Sequence, residues 1–429
     1  MKYLHSSIVL LFFVSLSSNL SAQGNDSTKK TASSLQLGGY GEAVYIRNFF
    51  SDSPFRYMKP ESHKNDPSHG RFDLPHVVFF VGYEFGKGWR INSEIEFEHG
   101  GTESAVEVEA EEGGEYESEI ERGGEVVLEQ FWVEKTFNRA LNLRVGHIIV
   151  PVGFTNGNHL PTEFFTVYRP EGERTILPCT WHETGISLWG RISDWRYEVM
   201  LIPGLDSELF SNKSWIGKAS ASPYEFKIAN RYAGVARIDN YSVKGLRMGV
   251  SAYYGHSFTN SVMPSYADKY KKVKGTVIIG SFDFKYDDHN IIARGYLDYG
   301  HLSDAQIISL YNRNLPNHSP SSRTNIASDV VATGLEAGYD IFSPITKLKQ
   351  KNQKFYIFGR YEYYDSMFKT PKDILDEQWC ARQIVYAGIN YFPIKNIVIK
   401  AEYSTAFLKN PYNNESSLSL GIAYSGFFK

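Results

Sequence analysis

Between Ser417 and Phe428 the chain alternates almost without error, and that pattern restricts it to a wall with two unlike faces. Leu418, Leu420, Ile422, Tyr424 and Phe428 fall on one side, and Ser417, Ser419, Gly421, Ala423 and Ser425 on the other. Successive side chains of a strand point to opposite faces of its sheet. A strand oily on one face and small and polar on the other suits a partition between lipid and a wet interior.

The same period recurs along the chain. Segments of roughly ten residues, the length a tilted strand needs to cross a bilayer, fall at 35–48, 71–85, 89–100, 124–137, 141–150, 184–192, 195–203, 231–240, 245–256, 276–287, 289–300, 329–342, 354–365, 382–392, 396–407 and 416–428. Tight links such as Gly86-Lys87-Gly88, Asn138-Arg139-Ala140 and Ser193-Asp194 alternate with long excursions such as Phe49 to Gly70, Pro151 to Glu183 and His301 to Ser328. Short periplasmic turns and long outer loops are the rhythm of an outer-membrane barrel. The predicted fold is therefore all-β: a transmembrane antiparallel β-barrel of about sixteen strands over residues 35–429. No repeated blade motif suggests a propeller.

Composition agrees. Mean hydropathy is −0.34, too polar for a bundle of membrane helices, yet aromatic residues make up 15% of the chain. Barrels combine both properties, because half of each strand faces water and aromatic girdles mark the interfaces. A net charge of −3 gives no electrostatic reason for a nucleic-acid partner. Lys2, the apolar run Ile8 to Leu16 and the small polar stretch Ser17 to Ala22 read as a secretory signal over residues 1–22, followed by a short periplasmic leader at 23–34.

The period of two also assigns lumenal residues. Arg144, Arg191, Arg196, Arg237, Arg247, Arg294 and Arg360 point inward. So do Glu42, Glu94, Glu96, Glu98, Asp239, Asp283, Asp298, Glu336 and Glu402. Basic groups gather on the middle strands and many acids on the early ones, so opposed walls could orient solutes in a transverse field. The plainer alternative is paired charges that stiffen the wall. A sixteen-stranded lumen is broad unless something narrows it, and the loop 151–183 is the candidate constriction. It carries His159, Glu163, Tyr168, Arg169, Glu171, Glu173, Arg174 and His182. Between Glu103 and Glu125, glutamates at alternate positions make an acidic hairpin, read as a solvated face more readily than as a Ca²⁺ site. The histidines are scattered without metal-ligand spacing, no catalytic constellation stands out, and no metal or cofactor is expected. His147 projects toward lipid near the outer rim. Cys179 and Cys380 fall in outer loops, where a bond between them and two free thiols both remain open.

At the fifth strand Arg144-Val145-Gly146-His147 leads to Val150-Pro151-Val152-Gly153-Phe154, and then to Trp181-His182-Glu183-Thr184-Gly185. This resembles the phosphate-selective porin O/P family, in its Bacteroidetes-type members. The resemblance implies a sixteen-stranded porin of the Gram-negative outer membrane, a homotrimer, with the third outer loop folded into the pore and anions such as phosphate among its solutes. The segment from Pro151 to Glu183 has no lysine, whereas the family places a lysine cluster at its constriction. Together these features lead to the expectation of a channel for passive diffusion of small hydrophilic solutes, embedded in outer-membrane lipid. The rivals are a surface adhesin or structural barrel displaying the acidic hairpin, and a barrel enzyme.

Overall fold

The computed structural model describes residues 34–99, 105–108, 118–121, 126–221, 226–261, 267–316 and 319–428. The expected signal over 1–22, and the leader up to residue 33, lie outside them; Ser34 already belongs to the first strand. Sixteen antiparallel strand positions close into a barrel. They are β1 (Ser34–Asn48), β2 (in two pieces, His69–Asp73 and His76–Gly86), β3 (Trp89–Glu98), β4 (Val126–Asn138), β5 (Leu141–Ile149), β6 (His182–Ile192), β7 (Trp195–Pro203) and β8 (Tyr232–Asn240). The wall continues through β9 (Leu246–His256), β10 (Thr276–Asp288), β11 (Ile291–Leu302), β12 (Asp329–Asp340), β13 (Lys354–Lys369), β14 (Ala381–Ile394), β15 (Ile397–Phe407) and β16 (Glu415–Phe427).

Each strand pairs with its sequence neighbours, and β1 meets β16 from Gly38↔Phe427 to Asn48↔Ser417. Closure leaves the wall no free edge, the condition for a sheet to survive in hydrocarbon. The two pieces of β2 share the partner β1. Between them stands Pro75, which lacks the N–H a continuous ladder would use.

The predicted facing holds strand by strand. On β9, Met248, Val250 and Tyr254 are exposed to the outside, whereas Ser251 and Tyr253 are buried within. On β16, Leu418, Leu420 and Ile422 are exposed, and Ser417 and Ser419 are covered. The outer surface is thus a continuous apolar band, the one environment in which so many exposed Leu, Ile, Val and aromatic side chains are stable. No helix among the described residues is long and apolar enough to cross a membrane. Residues Ala105–Val108 and Ser118–Glu121 pair as a small separate hairpin; the rest of the acidic stretch lies outside the described residues.

The apolar core of the molecule lies inside the cylinder. Trp181, Trp215, Phe210, Ile216, Ile308, Val152 and Phe165 are buried together, and nearly all come from outer loops. Two of those loops matter most. One is the inward loop between β5 and β6; the other is a lid after β7, which packs on helix α2 (Ala305–Arg313). Trp215 of the lid lies against Gly300 of β11, where a Cβ would stand 2.3 Å from the indole ring. Its Nε1 donates to Ala327 O at 3.3 Å, and Asn312 Nδ2 of α2 donates to Ser207 O at 2.9 Å. The lid thereby closes the mouth over the β11–β13 side.

Candidate functional site

The inward loop begins with a turn that needs a glycine. Gly153 has φ +78°, in the left-handed region, and a Cβ there would lie 2.1 Å from Glu173 Oε1. That vacancy lets the Glu173 carboxylate reach two backbone donors, Phe154 N–H at 2.6 Å and Thr155 N–H at 2.5 Å. Glu173 sits in the short helix α1 (Glu171–Ile176), so one buried carboxylate ties the first leg of the loop to the second. Burial raises its pKa, and the backbone hydrogen bonds it accepts from Phe154 and Thr155 oppose the rise.

From this brace the loop reaches nearly every part of the wall. Arg237 donates to Gly153 O at 2.9 Å, and Gly153 N–H donates to Ser251 Oγ at 3.1 Å. The Glu173 N–H meets Tyr296 Oη at 3.2 Å, and Tyr364 Oη donates to Glu171. On the far side, Lys400 Nζ donates to Phe164 O at 3.0 Å and Thr166 O at 2.8 Å, while Val167 N–H donates to Glu402 at 2.9 Å. Phe165 stacks on Phe358 at 5.3 Å between ring centres. Arg169 Nη2 donates to Tyr40 Oη of β1 at 3.3 Å, and its Nη1 to Thr180 at 2.8 Å.

Three cavities of about 500 Å³ or more border the loop. An outer one of about 500 Å³ opens between the lid and the β1, β2 and β14–β16 wall; its lining includes Arg56, Arg71, Arg174, Lys213 and Arg382. Two inner ones, of about 580 and 600 Å³, lie on the periplasmic side of the loop. The outer cavity shares no lining residue with either inner cavity. Arg169 lines the outer cavity and Tyr40 one of the inner ones, so their hydrogen bond spans the junction.

The sequence-predicted residues fall into distinct groups. Arg144, Arg191, Arg196, Arg237 and Arg247 line one inner cavity. Most of them are paired: Arg237 with Asp239 at 2.8 Å and Asp283 at 2.9 Å, Arg247 with the same acids at 2.9 and 2.5 Å, Arg144 with Glu134 at 2.8 Å. Arg294 and Arg360 point inward but are buried under the loop, both holding Glu336, with Arg360 also on Glu362. They line none of the three cavities, because Phe165 covers Arg294 at 4.9 Å. Asp298 is fully buried. Glu94 lines the other inner cavity, and Glu96 and Glu98 sit beside His76.

Among the loop residues, Tyr168, Arg169, Glu171 and Arg174 line the outer cavity, and His159 and Glu163 an inner one. Tyr168 donates to Asp73 at 3.1 Å. Burial, with Arg169 nearby, lowers the His159 pKa to about 3, so it is neutral. Glu173 lines none of these three cavities and serves as the brace, because the Gly153 turn leaves two buried N–H groups to satisfy. One expectation needs correction. His182 is the first residue of β6, held in the ladder opposite Ile149, so the loop ends at Trp181. Cys179 and Cys380 are free thiols, pushed up to about 11 and about 12 by burial.

Sequence reading passed over Tyr40, His76, Arg71, Arg382 and Lys400. Arg382 and Lys400 stand at inward positions of their strands, so period alone could have found them. The meeting of His76 with Glu96 and Glu98 depends on strand register, which no spacing within one segment reveals.

No protein-family profile matches the chain. A protein of Aquifex aeolicus described as uncharacterized is 28% identical over 384 residues, spanning 89% of this chain and 78% of its own. Among solved structures, the outer membrane channel DcaP of Acinetobacter baumannii matches with a TM-score of 0.51 at 11% identity, over 94% of this chain and all of the other. A loop-deletion mutant of OmpT, an outer membrane protein of Vibrio cholerae, gives 0.50 at 11% identity, over 92% of this chain and all of the other. Salmonella typhi OmpF in complex with daunomycin gives 0.50 at 10% identity, over 91% and 97% of the two chains. The fold is that of outer-membrane porins.

Proposed function

We propose that this barrel is a porin of the Gram-negative outer membrane, a passive route for small hydrophilic solutes that favours anions. The observation that carries the anion preference is the outer cavity. Arg71, Arg174 and Lys213 line it, and none has a carboxylate within ion-pair distance among the described residues. Arg56 and Arg382 line it too and converge on one acid, Glu415, each at 2.9 Å. Burial, then Arg382 and Arg56, lower the pKa of the Lys213 ammonium, as expected of crowded cations. A concave surface with excess positive charge concentrates anions and raises their entry rate.

Inorganic phosphate, or a small carboxylate, fits this chemistry: guanidinium groups present paired N–H donors to such oxygens. The inward loop supplies size exclusion. Its fastening to wall residues on β8, β9, β11, β13 and β15 supports a fixed constriction rather than a mobile flap. The reading is of transport rather than catalysis, since the lumenal charges are spent on bracing the loop and lining the cavities. Assembly as a trimer, implied by the family resemblance, belongs to the same proposal.

Planar-bilayer recording of the folded protein under a KCl gradient tests the proposal. Ohmic steps with a reversal potential of anion-selective sign, reduced by added phosphate, are expected. Silence from correctly folded barrels overturns the channel reading, and a cation-selective potential overturns the anion preference.

A further inference from the structure

We propose that the lumenal wall beside the Arg169–Tyr40 junction is a binding site for a divalent transition-metal ion, held by His76, Glu96 and Glu98 with Glu42 in reserve. The backbone creates the cluster. His76 lies directly opposite Glu98 in the β2–β3 ladder, where cross-strand Cβ atoms stand about 4.5–5.5 Å apart. Glu96, two residues earlier, shares that inward face. One ligand atom from each of the three lies within 4.8 Å of the others, and His76 Nδ1 is 2.5 Å from Glu96 Oε1. Donors that share one metal at bond lengths of about 2.0–2.2 Å stand roughly 3–3.5 Å apart, so the His76–Glu96 hydrogen bond opens slightly and the more distant donor draws in to complete the set.

A second observation points to a ligand. Glu42 of β1 is more than nine-tenths buried, and its Oε2 has no hydrogen-bond partner. Its Oε1 lies 3.9 Å from His76 Nε2, so the carboxylate is aimed at the same imidazole. A buried carboxylate oxygen left unpaired is costly, and a cation coordinated there removes the cost. One imidazole with two or three carboxylates suits Zn²⁺, Mn²⁺ or Co²⁺. Ca²⁺ takes six to eight oxygen ligands and has no preference for a ring nitrogen.

The position gives the ion a role. Tyr168 donates to Asp73, three residues before His76, and Arg169 reaches Tyr40, two residues before Glu42. An ion on this wall cancels the negative charge that faces the Arg169 guanidinium across the junction between outer and inner cavities.

The test is Co²⁺ titration of the purified, folded full-length barrel, followed by visible ligand-field absorption and by competition with Zn²⁺. Expected is a saturable spectrum displaced by Zn²⁺, with Co²⁺ affinity at least tenfold weaker in His76→Ala and in Glu98→Gln. His147→Ala, on an outward position of β5, should leave it unchanged. Heat-modifiable gel migration verifies that each variant is folded; if His76→Ala does not assemble, Glu98→Gln decides. No saturable spectrum, a spectrum indifferent to both cluster variants, or equal displacement by Ca²⁺ overturns the site. Because the readout is coordination and not current, its outcome is independent of the transport experiment.

Discussion

Replacing Gly153 by alanine separates the inward loop from its brace with little change to the wall. Two effects add. At φ +78° an L-residue is disfavoured by about 1–2 kcal/mol. The new Cβ would stand 2.1 Å from Glu173 Oε1, so the carboxylate must withdraw from the Phe154 N–H it now accepts at 2.6 Å. A hydrogen bond to a charged group contributes about 1.5–3 kcal/mol. The docked loop is thus weakened by about 2.5–5 kcal/mol, which at about 1.4 kcal/mol per decade shifts the docked-to-released ratio by roughly sixtyfold to four-thousandfold. Single-channel recording should show larger or intermittently larger steps in Gly153→Ala, and added protease should cut the loop faster. Gly157→Ala is the matched control, since a Cβ at Gly157 meets nothing within 4 Å and its backbone is not left-handed. If the two variants behave alike, or Gly153→Ala keeps wild-type conductance, the bracing argument is wrong.

Other consequences follow from the same geometry. Lys400→Met strands the Phe164 and Thr166 carbonyls and should loosen the tip of the loop by about 2 kcal/mol or more, read as faster proteolysis between residues 160 and 170. Arg71→Ala combined with Arg174→Ala should move the KCl reversal potential toward zero and weaken block by phosphate, without altering heat-modifiable migration. Trp215→Ala empties a fully buried site and should destabilise the lid by about 3–5 kcal/mol, so that protease cuts the lid while the barrel stays intact. The lid also carries a pH response. Burial raises Asp206 to about 7, so the folded lid favours its neutral form; that stability is complete below the ordinary aspartate range and lost as pH rises through about 7. Lid proteolysis should therefore accelerate between pH 6 and 8, and Asp206→Asn should flatten the profile while its side-chain oxygen still accepts the Glu208 N–H.

The sequence was most informative where the environment imposes a strict rule. Lipid outside and polar surroundings inside force a period of two, so the strands around Met248, Ile357 and Leu420 were legible from one chain. The interior was not, because its core is built from loops whose partners are distant in sequence. Nothing local in Pro151-Val152-Gly153-Phe154 tells that Glu173 will fold back beneath it, so an acid expected at the constriction proved to be a brace. Period assigns a face to each inward arginine, but it cannot show that Phe165 covers Arg294 while Arg247 borders a cavity. The same limit hid His76, whose neighbours are set by register across strands.

The seam between β1 and β16 gives the loop a place in the order of assembly. Thr162 bonds Ser425 of the last strand at 2.6 Å, Lys400 of β15 grips the carbonyls at 164 and 166, and Arg169 reaches Tyr40 on the first strand. The loop therefore bridges the closing edges from within, through contacts 129 to 263 residues apart in the chain. Pairings this distant form late and slowly. The contacts of residues 162–167 with Ser425, Lys400 and Glu402 cannot form until the C-terminal strands arrive, so a truncation that removes β16 also deprives the constriction of an anchor.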